Sequence, residues 1–265
     1  MPSLSVNDID LHYEVKGNGP PLLLIAGFAS DGQSWAPITR TLSERFTLII
    51  PDNRGCGQTA LNGAEVTIEA MTADCRALLD RLSIERVDIL GHSMGGVIAA
   101  SLAAQQPDRT RKLILAASLP STPARAISVI ETLVAMREVD PDETIWLKSF
   151  LHWLLTPRFF EHTRAVEAAI AMVRAYPHAQ SLDDMRRQAE AIRRFSAPPA
   201  PETITAPTLL ISGVDDIMTP ARDIAAAFSA LPSHEHTTMD WAGHSLHWDE
   251  PEVFADIVIE FLEKP

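Results

Sequence analysis

A serine flanked by glycines lies near the middle of the chain, where one predicted element changes directly into another. Residues 87–90 read V-D-I-L, residues 91–95 read G-H-S-M-G, and residues 96–100 continue as G-V-I-A-A. The first run indicates a buried strand and the last indicates a helix, so the chain turns sharply at Ser93 without a loop. Small residues two positions before and after Ser93 let the strand and the helix pass closely. Such a strained turn holds the serine hydroxyl clear of the backbone.

The length and charge of the chain restrict what it can be. Its 265 residues, 46% of them hydrophobic, fit one large α/β domain or a core with a modest insert. The formal net charge of −13 argues against nucleic acid and against an anionic membrane as partners, because phosphates repel an acidic surface. The most apolar stretch, 145–160, is short and interrupted by charged residues, so no membrane span is predicted.

The two cysteines, Cys56 and Cys75, cannot form a disulfide framework and are expected to be reduced thiols. Cys56 lies in a glycine-rich loop, where a buried structural thiol is favoured over a contact with the site. The first residues, M-P-S-L, show no basic segment followed by an apolar run, so no signal peptide is predicted. We therefore expect a cytoplasmic location.

Apolar runs without alternation recur along the chain and predict strands that are buried on both faces. Such strands are predicted at 21–26, 47–51, 87–90, 112–117 and 207–212. Two further strands are predicted at 3–6 and 9–15, around the turn Asn7-Asp8, and a short strand at 236–239. Helices are predicted at 34–45, 67–82, 96–106, 220–230 and 251–263. This order is typical of an α/β protein with a doubly wound, mostly parallel sheet.

The pattern changes after residue 118. Only helical patterns follow, at 124–139, 142–155, 158–175 and 182–195, and the segment P-P-A-P at 198–201 ends the section. We therefore predict a core made of residues 1–118 and 203–265, with an all-helical insert at 119–202.

Candidates for a proton-transfer chain with Ser93 follow two later strands. A serine hydroxyl is a weak nucleophile until a base removes its proton, and the base needs a third group to orient it. In a doubly wound sheet these partners follow the carboxyl ends of strands. Asp215 and Asp216 follow the strand at 207–212, and His244 and His247 follow the strand at 236–239. The residues alone leave both choices open.

Four motifs together resemble those of the α/β-hydrolase fold family. They are G-H-S-M-G-G at 91–96, D-x-R-G-x-G at 52–57, G-x-x-D-x-x-x-P at 213–220, and G-H at 243–244 followed by D-E-P-E at 249–252. The resemblance covers the whole chain except the helical insert. It implies that Ser93 is the nucleophile, that Asp216 is the acid and that His244 is the base. His247 is then expected at the core or the pocket rim, and His92 is expected to be a spacer.

The resemblance also implies an oxyanion hole formed by the backbone N–H groups of Phe28 and Met94. The family commonly has His-Gly where this chain has Ala26-Gly27. The donor is a main-chain group, so this departure leaves it in place. It does remove a side chain that often braces the loop.

Trp146, Phe150 and Trp153 give the predicted helix at 142–155 a broad apolar face. Most of this face is expected to pack the insert onto the core, while some of it lines an acyl or alkoxy pocket beneath a cap. An exposed face would instead form a dimer interface, so a homodimer stays an open alternative. The spacing of the histidines gives no metal cluster, and no metal is expected.

The resemblance implies a cofactor-free serine hydrolase that cleaves a carboxylic ester or lactone of a small to medium, largely apolar molecule through an acyl-enzyme. The pattern is similar to small bacterial esterases and to enol-lactonases with a helical cap. Two alternatives are a carbon–carbon bond hydrolase of ring-cleavage products and a small-molecule receptor with low turnover. Ser93 argues against dehalogenases and epoxide hydrolases, which have an aspartate at this position.

Overall fold

The computed structural model describes residues 3–265, and an eight-stranded sheet forms its centre. The strands are β1 Ser3–Val6, β2 Ile9–Lys16, β3 Pro21–Ile25, β4 Thr47–Pro51, β5 Val87–His92, β6 Thr110–Ala116, β7 Thr208–Gly213 and β8 His234–Met239. Their order in the sheet is β1-β2-β4-β3-β5-β6-β7-β8. The pairs β1–β2 and β2–β4 are antiparallel and the other pairs are parallel. The predicted α/β class with a doubly wound, mostly parallel sheet is confirmed.

Helices cover both faces of this sheet. They are α1 Ala36–Ser43, α2 Ile68–Arg81, α3 Met94–Gln105, α4 Ala124–Val139, α5 Thr144–Leu154, α6 Pro157–Phe160, α7 Thr163–Arg174, α8 Leu182–Arg194, α9 Ala221–Ala227, α10 Leu246–Asp249 and α11 Pro251–Glu263. Two short 3₁₀ helices, Gly32–Trp35 and Pro201–Thr203, precede α1 and β7. None of the helices among residues 3–265 is long and apolar enough to cross a bilayer.

Two apolar clusters, one on each face of the sheet, form the core. Successive residues of a strand point to opposite faces, so Leu23 and Ile25 of β3 join one cluster while Leu22 and Leu24 join the other. The first cluster also includes buried side chains of α2 and α3, and the second includes those of α1 and α11. Burial on both faces explains why central strands such as β3 and β4 appear in the sequence as continuous apolar runs.

Several predicted boundaries differ from the structure. The predicted helix at 34–45 begins as the 3₁₀ helix Gly32–Trp35, whose N-cap Asp31 accepts a hydrogen bond from the backbone N–H of Gln33. The predicted helix at 158–175 is two helices, α6 and α7. The chain leaves the helical region at His162, with φ −110° and ψ 81°. The short helix α10 was not predicted.

Residues 119–202, which we call the helical insert, connect β6 to β7. The described part of this segment forms the helices α4 to α8 and the start of the 3₁₀ helix Pro201–Thr203. Within the insert, α4 packs against α5 and α8, and α5 packs against α7. The division of the chain into a core and a separate cap domain stays a prediction.

Candidate active site

Ser93 lies at the turn between β5 and α3, with φ 53° and ψ −120°. Glycines make this turn sterically feasible. A Cβ atom at Gly91 would lie 2.3 Å from the carbonyl oxygen of Gly95, and one at Gly95 would lie 2.0 Å from the carbonyl oxygen of Ile25. Because backbone atoms cannot yield at such distances, only glycine fits at both positions. The turn therefore depends on residues on either side of the serine.

The structure brings Ser93, His244 and Asp216 into one hydrogen-bonded chain. The Nε2 atom of His244 lies 2.9 Å from the Oγ atom of Ser93, and its Nδ1 atom lies 2.9 Å from an Oδ2 atom of Asp216. His244 and Asp216 are each 4% exposed, whereas Asp215 is exposed to solvent. Of the two adjacent carboxylates, only Asp216 contacts the imidazole.

Asp216 is held as a carboxylate by its surroundings. Burial by itself raises the pKa of this group, but electrostatic attraction to a protonated His244 ring and hydrogen bonds from His244 and Thr219 together lower its pKa to about 2. The backbone N–H groups of Met218 and Thr219 donate to its Oδ1 atom at 2.7 and 2.9 Å. A fixed carboxylate of this kind orients the imidazole and stabilises the positive charge that the ring gains on protonation.

Phe28 and Met94, the residues expected to supply oxyanion donors, are both buried and line the same cavity as Ser93 and His244. Met94 is the first residue of α3, where backbone N–H groups have no partner within the helix and favour negative charge. Phe28 lies in the loop that follows β3. The two residues therefore lie near the serine hydroxyl from two different elements.

The cavity beside Ser93 is narrow, with a volume of about 30 Å³. Its wall is mostly apolar, with a few hydroxyl groups. The apolar residues include Val97, Leu119, Ala126, Ile130, Ile192 and Met218, and the hydroxyl groups belong to Ser118, Ser121, Thr122 and Thr219. The helical insert therefore supplies part of the wall, through α4 and α8.

Trp146, Phe150 and Trp153 do not line this cavity, in contrast to the expectation that some of them would. The Trp146 and Phe150 rings stack with their centres 6.0 Å apart, and the guanidinium group of Arg137 lies 4.7 Å from the centre of the Trp146 ring. Their helix, α5, packs between α4 and α7, so its aromatic face holds the insert together. Sequence reasoning missed Ala126 and Ile130, whose i, i+4 spacing on α4 was the available signal.

Two further histidines lie beneath His244. The Nε2–H group of His92 donates a hydrogen bond to the backbone carbonyl of His244 at 2.7 Å, so His92 is more than a spacer. Burial, together with the nearby charge of His244, lowers the pKa of His92 to about 3. His247 is 2% exposed and packs between the rings of Trp35 and His92, with both ring-centre distances 4.8 Å. His247 therefore lies in the core.

The helical insert contacts the loop of His244 as well. The backbone N–H of Ser245 donates to the carbonyl of Leu154 at 2.8 Å. Asp249 accepts hydrogen bonds from the backbone N–H groups of Gly243 at 2.9 Å and Thr156 at 3.3 Å. The last residue of α5 thus holds the chain after the imidazole directly, and Thr156 contacts it before the imidazole through Asp249.

Comparison with known proteins agrees with this geometry. A family model described as the alpha/beta hydrolase fold matches residues 20–251. A protein of Azorhizobium caulinodans that is named a carbamate hydrolase, RutD, is 27% identical over 266 residues, covering 98% of each chain. A thermophilic esterase from Thermogutta terrifontis has a TM-score of 0.82 at 25% identity, covering 96% of this chain and 93% of the esterase. The enol-lactonase from Burkholderia xenovorans LB400 has a TM-score of 0.85 at 25% identity, covering 99% of this chain and 100% of the lactonase.

The family match spans well over half of the chain, so the chain belongs to the α/β-hydrolase fold family. With relatives named as hydrolases over nearly its whole length, it is a hydrolase enzyme on this fold.

Replacing His247 tests whether its buried imidazole stays uncharged in the folded protein. Burial, followed by the nearby His92 and His244, lowers the pKa of His247 well below 6.5. As the pH falls below 6.5, the unfolded chain gains a proton on this ring and the folded chain does not, so folding stability falls with pH. In His247→Leu, the slope of unfolding free energy against pH should decrease by up to about 1.4 kcal/mol per pH unit between about pH 6 and pH 5. Urea unfolding across this range measures it, and an unchanged slope would contradict the burial of a neutral ring.

Proposed function

We propose that this hydrolase cleaves neutral carboxylic esters, or neutral lactones, of small and largely apolar acids through an acyl-enzyme on Ser93. The observation that carries the proposal is the chain of two 2.9 Å contacts that joins the Ser93 hydroxyl to the His244 imidazole and the imidazole to the Asp216 carboxylate. These are the three groups that activate a serine for attack on a carbonyl carbon.

In the proposed reaction, Ser93 Oγ attacks the ester carbonyl while His244 Nε2 takes the hydroxyl proton. The carbonyl oxygen becomes an oxyanion, which the backbone N–H groups of Phe28 and Met94 stabilise. His244 then gives its proton to the departing alkoxide, and the acyl group remains on Ser93. A water molecule, deprotonated by His244, attacks this acyl-enzyme and releases the acid. Asp216 stabilises the charged imidazole in both halves of the reaction.

The cavity wall favours neutral substrates. Among the described residues that line it, none is Arg or Lys. A carboxylate on the acyl chain would lose its hydration there without gaining a partner, which is costly in an apolar site. This observation disfavours a carboxylated lactone or a carboxylated ring-cleavage product as the substrate. The small volume of about 30 Å³ favours short acyl chains.

Labelling of Ser93 is the first test. A fluorophosphonate reacts much faster with an activated serine than with an ordinary one, so the wild type should gain one adduct on Ser93 and should hydrolyse p-nitrophenyl acetate and butyrate steadily. Ser93→Ala should lose both, and His244→Ala should label far more slowly. Intact-mass measurement and absorbance assays provide the readouts.

An unlabelled wild type would refute the proposed mechanism. A single burst of product without turnover would favour the receptor alternative. Activity on vinylogous diketones with simple esters ignored would favour carbon–carbon cleavage. A neutral aryl carbamate should be assayed beside these substrates, because relatives are named carbamate hydrolases and a carbamate presents a similar acyl carbon to Ser93.

The two adjacent carboxylates offer a matched pair of variants. Asp216→Asn removes the charge that holds the imidazole, and kcat for p-nitrophenyl butyrate should fall by a factor of about 10³–10⁴. Asp215→Asn, at the exposed neighbouring position, should change kcat less than about twofold. Equal losses in the two variants would contradict the assignment of Asp216.

Two substrates of similar shape test the preference for neutral acyl groups. The p-nitrophenyl hemiester of succinate carries a carboxylate where p-nitrophenyl 4-methylpentanoate carries an isopropyl group of similar shape. Because the lining has no Arg or Lys, kcat/KM should be at least about tenfold lower for the succinate hemiester. Steady-state assays at low ionic strength measure both values, and equal values would contradict the preference.

A further inference from the structure

The N–H group of Phe28 belongs to the peptide unit between Gly27 and Phe28. Its direction therefore depends on how the neighbouring peptide units are held. The peptide before it, between Ala26 and Gly27, is held at its carbonyl, which accepts a hydrogen bond from the Nδ2 atom of Asn53 at 2.9 Å. The orientation of the donor then depends on whether the peptide on its other side is held as well.

That next peptide, between Phe28 and Ala29, is held at both ends. The backbone N–H of Ala29 donates to the Oε1 atom of Gln188 at 3.1 Å. The carbonyl of Phe28 accepts a hydrogen bond from the Oγ atom of Ser30 at 3.3 Å. Ala29 has φ 56°, in a left-handed region that costs a non-glycine residue free energy. The loop therefore requires an outside contact to keep this conformation, and Gln188 supplies it.

Gln188 is itself fixed in a single orientation. It lies on α8 of the helical insert and is fully buried. Its Nε2 atom donates to the carbonyl of Arg54 at 2.8 Å and lies 3.2 Å from the Sγ atom of Cys56. With its Nε2 atom engaged by the loop after β4, its Oε1 atom must point at Ala29. One side chain of the insert thus joins the loops that follow β3 and β4.

We propose that Gln188 is a positioning residue of the oxyanion hole, which sets the direction of the Phe28 N–H by holding the peptide next to it. This inference rests on the proposed function, in which that N–H binds the oxyanion. Gln188 thus braces this loop in place of residue 26, since Ala26 has no polar side chain that could do so. The oxyanion hole then has its proposed geometry only when α8 is packed against the loop after β3.

Gln180 offers a matched control in the same insert. Its Nε2 atom donates to the carbonyl of Gly55 at 2.8 Å and lies 3.2 Å from the Sγ atom of Cys56. It therefore ties the insert to the loop after β4, as Gln188 does, and its bonds to that loop do not reach Ala29. Gln180→Met removes the shared contact and leaves the contact with Ala29.

The first experiment compares Gln188→Met, Gln188→Ala and Gln180→Met with the wild type on p-nitrophenyl butyrate. Loss of one oxyanion donor costs a factor of about 10²–10³ in kcat, so misorientation should cost a factor of about 10–100 in both Gln188 variants, with KM within about threefold. A trifluoromethyl ketone, which forms an anionic tetrahedral adduct with the serine, should bind more weakly by the same factor. Gln180→Met should change each quantity less than about threefold.

The second experiment does not depend on turnover. Hydrogen exchange of peptides that cover residues 26–31 should be at least about tenfold faster in the Gln188 variants, and unchanged in Gln180→Met. Equal exchange in all variants would overturn the inference, as would a loss confined to KM. Failure of the proposed function would be evident separately, as a wild type that neither takes the fluorophosphonate label nor hydrolyses esters.

Discussion

The close approach of α3 to the ends of β3 and β5 is the constraint on which the rest of the site depends. Gly95 has a carbonyl oxygen of β3 where a side chain would begin, and Gly91 faces the backbone of α3 in the same way. This contact bends the chain at Ser93, which accepts a φ of 53° as a result. The same contact also fixes the end of β3, where the loop of Phe28 starts. One steric requirement therefore places both the hydroxyl group and the proposed oxyanion donors.

The core and the helical insert contribute different parts of the site. The core supplies Ser93, Asp216 and His244 from loops at the carboxyl ends of β5, β7 and β8. The insert supplies part of the cavity wall and polar contacts to three loops. Gln188 contacts the loops after β3 and β4, and the end of α5 with Thr156 contacts the loop of His244. In the proposed reaction the core performs the proton transfers, whereas the insert determines which acyl groups reach them and how the oxyanion is held.

Much of this arrangement could be predicted from the sequence because its causes are local. The central strands were recognisable as apolar runs, and the turn at Ser93 by its glycines. Asp216 and His244 were recognisable by motifs, a choice that the residues alone had left open. The divided helix at 158–175, the internal packing of the α5 aromatics and the bond from His92 to the His244 carbonyl were not recognisable. The partners of Gln188 lie 134 and 159 residues earlier in the chain, a separation that no local pattern records.

The order of these groups along the chain has a consequence for synthesis. Translation proceeds from the amino terminus, so the hydroxyl of Ser93 is made first, the Gln188 amide much later and the imidazole of His244 later still. A nascent polypeptide on the ribosome thus lacks the proposed general base until residue 244 has been added. By this reasoning, a chain that has not yet reached residue 244 has no base to activate Ser93, so in the proposed mechanism it cannot form an acyl-enzyme.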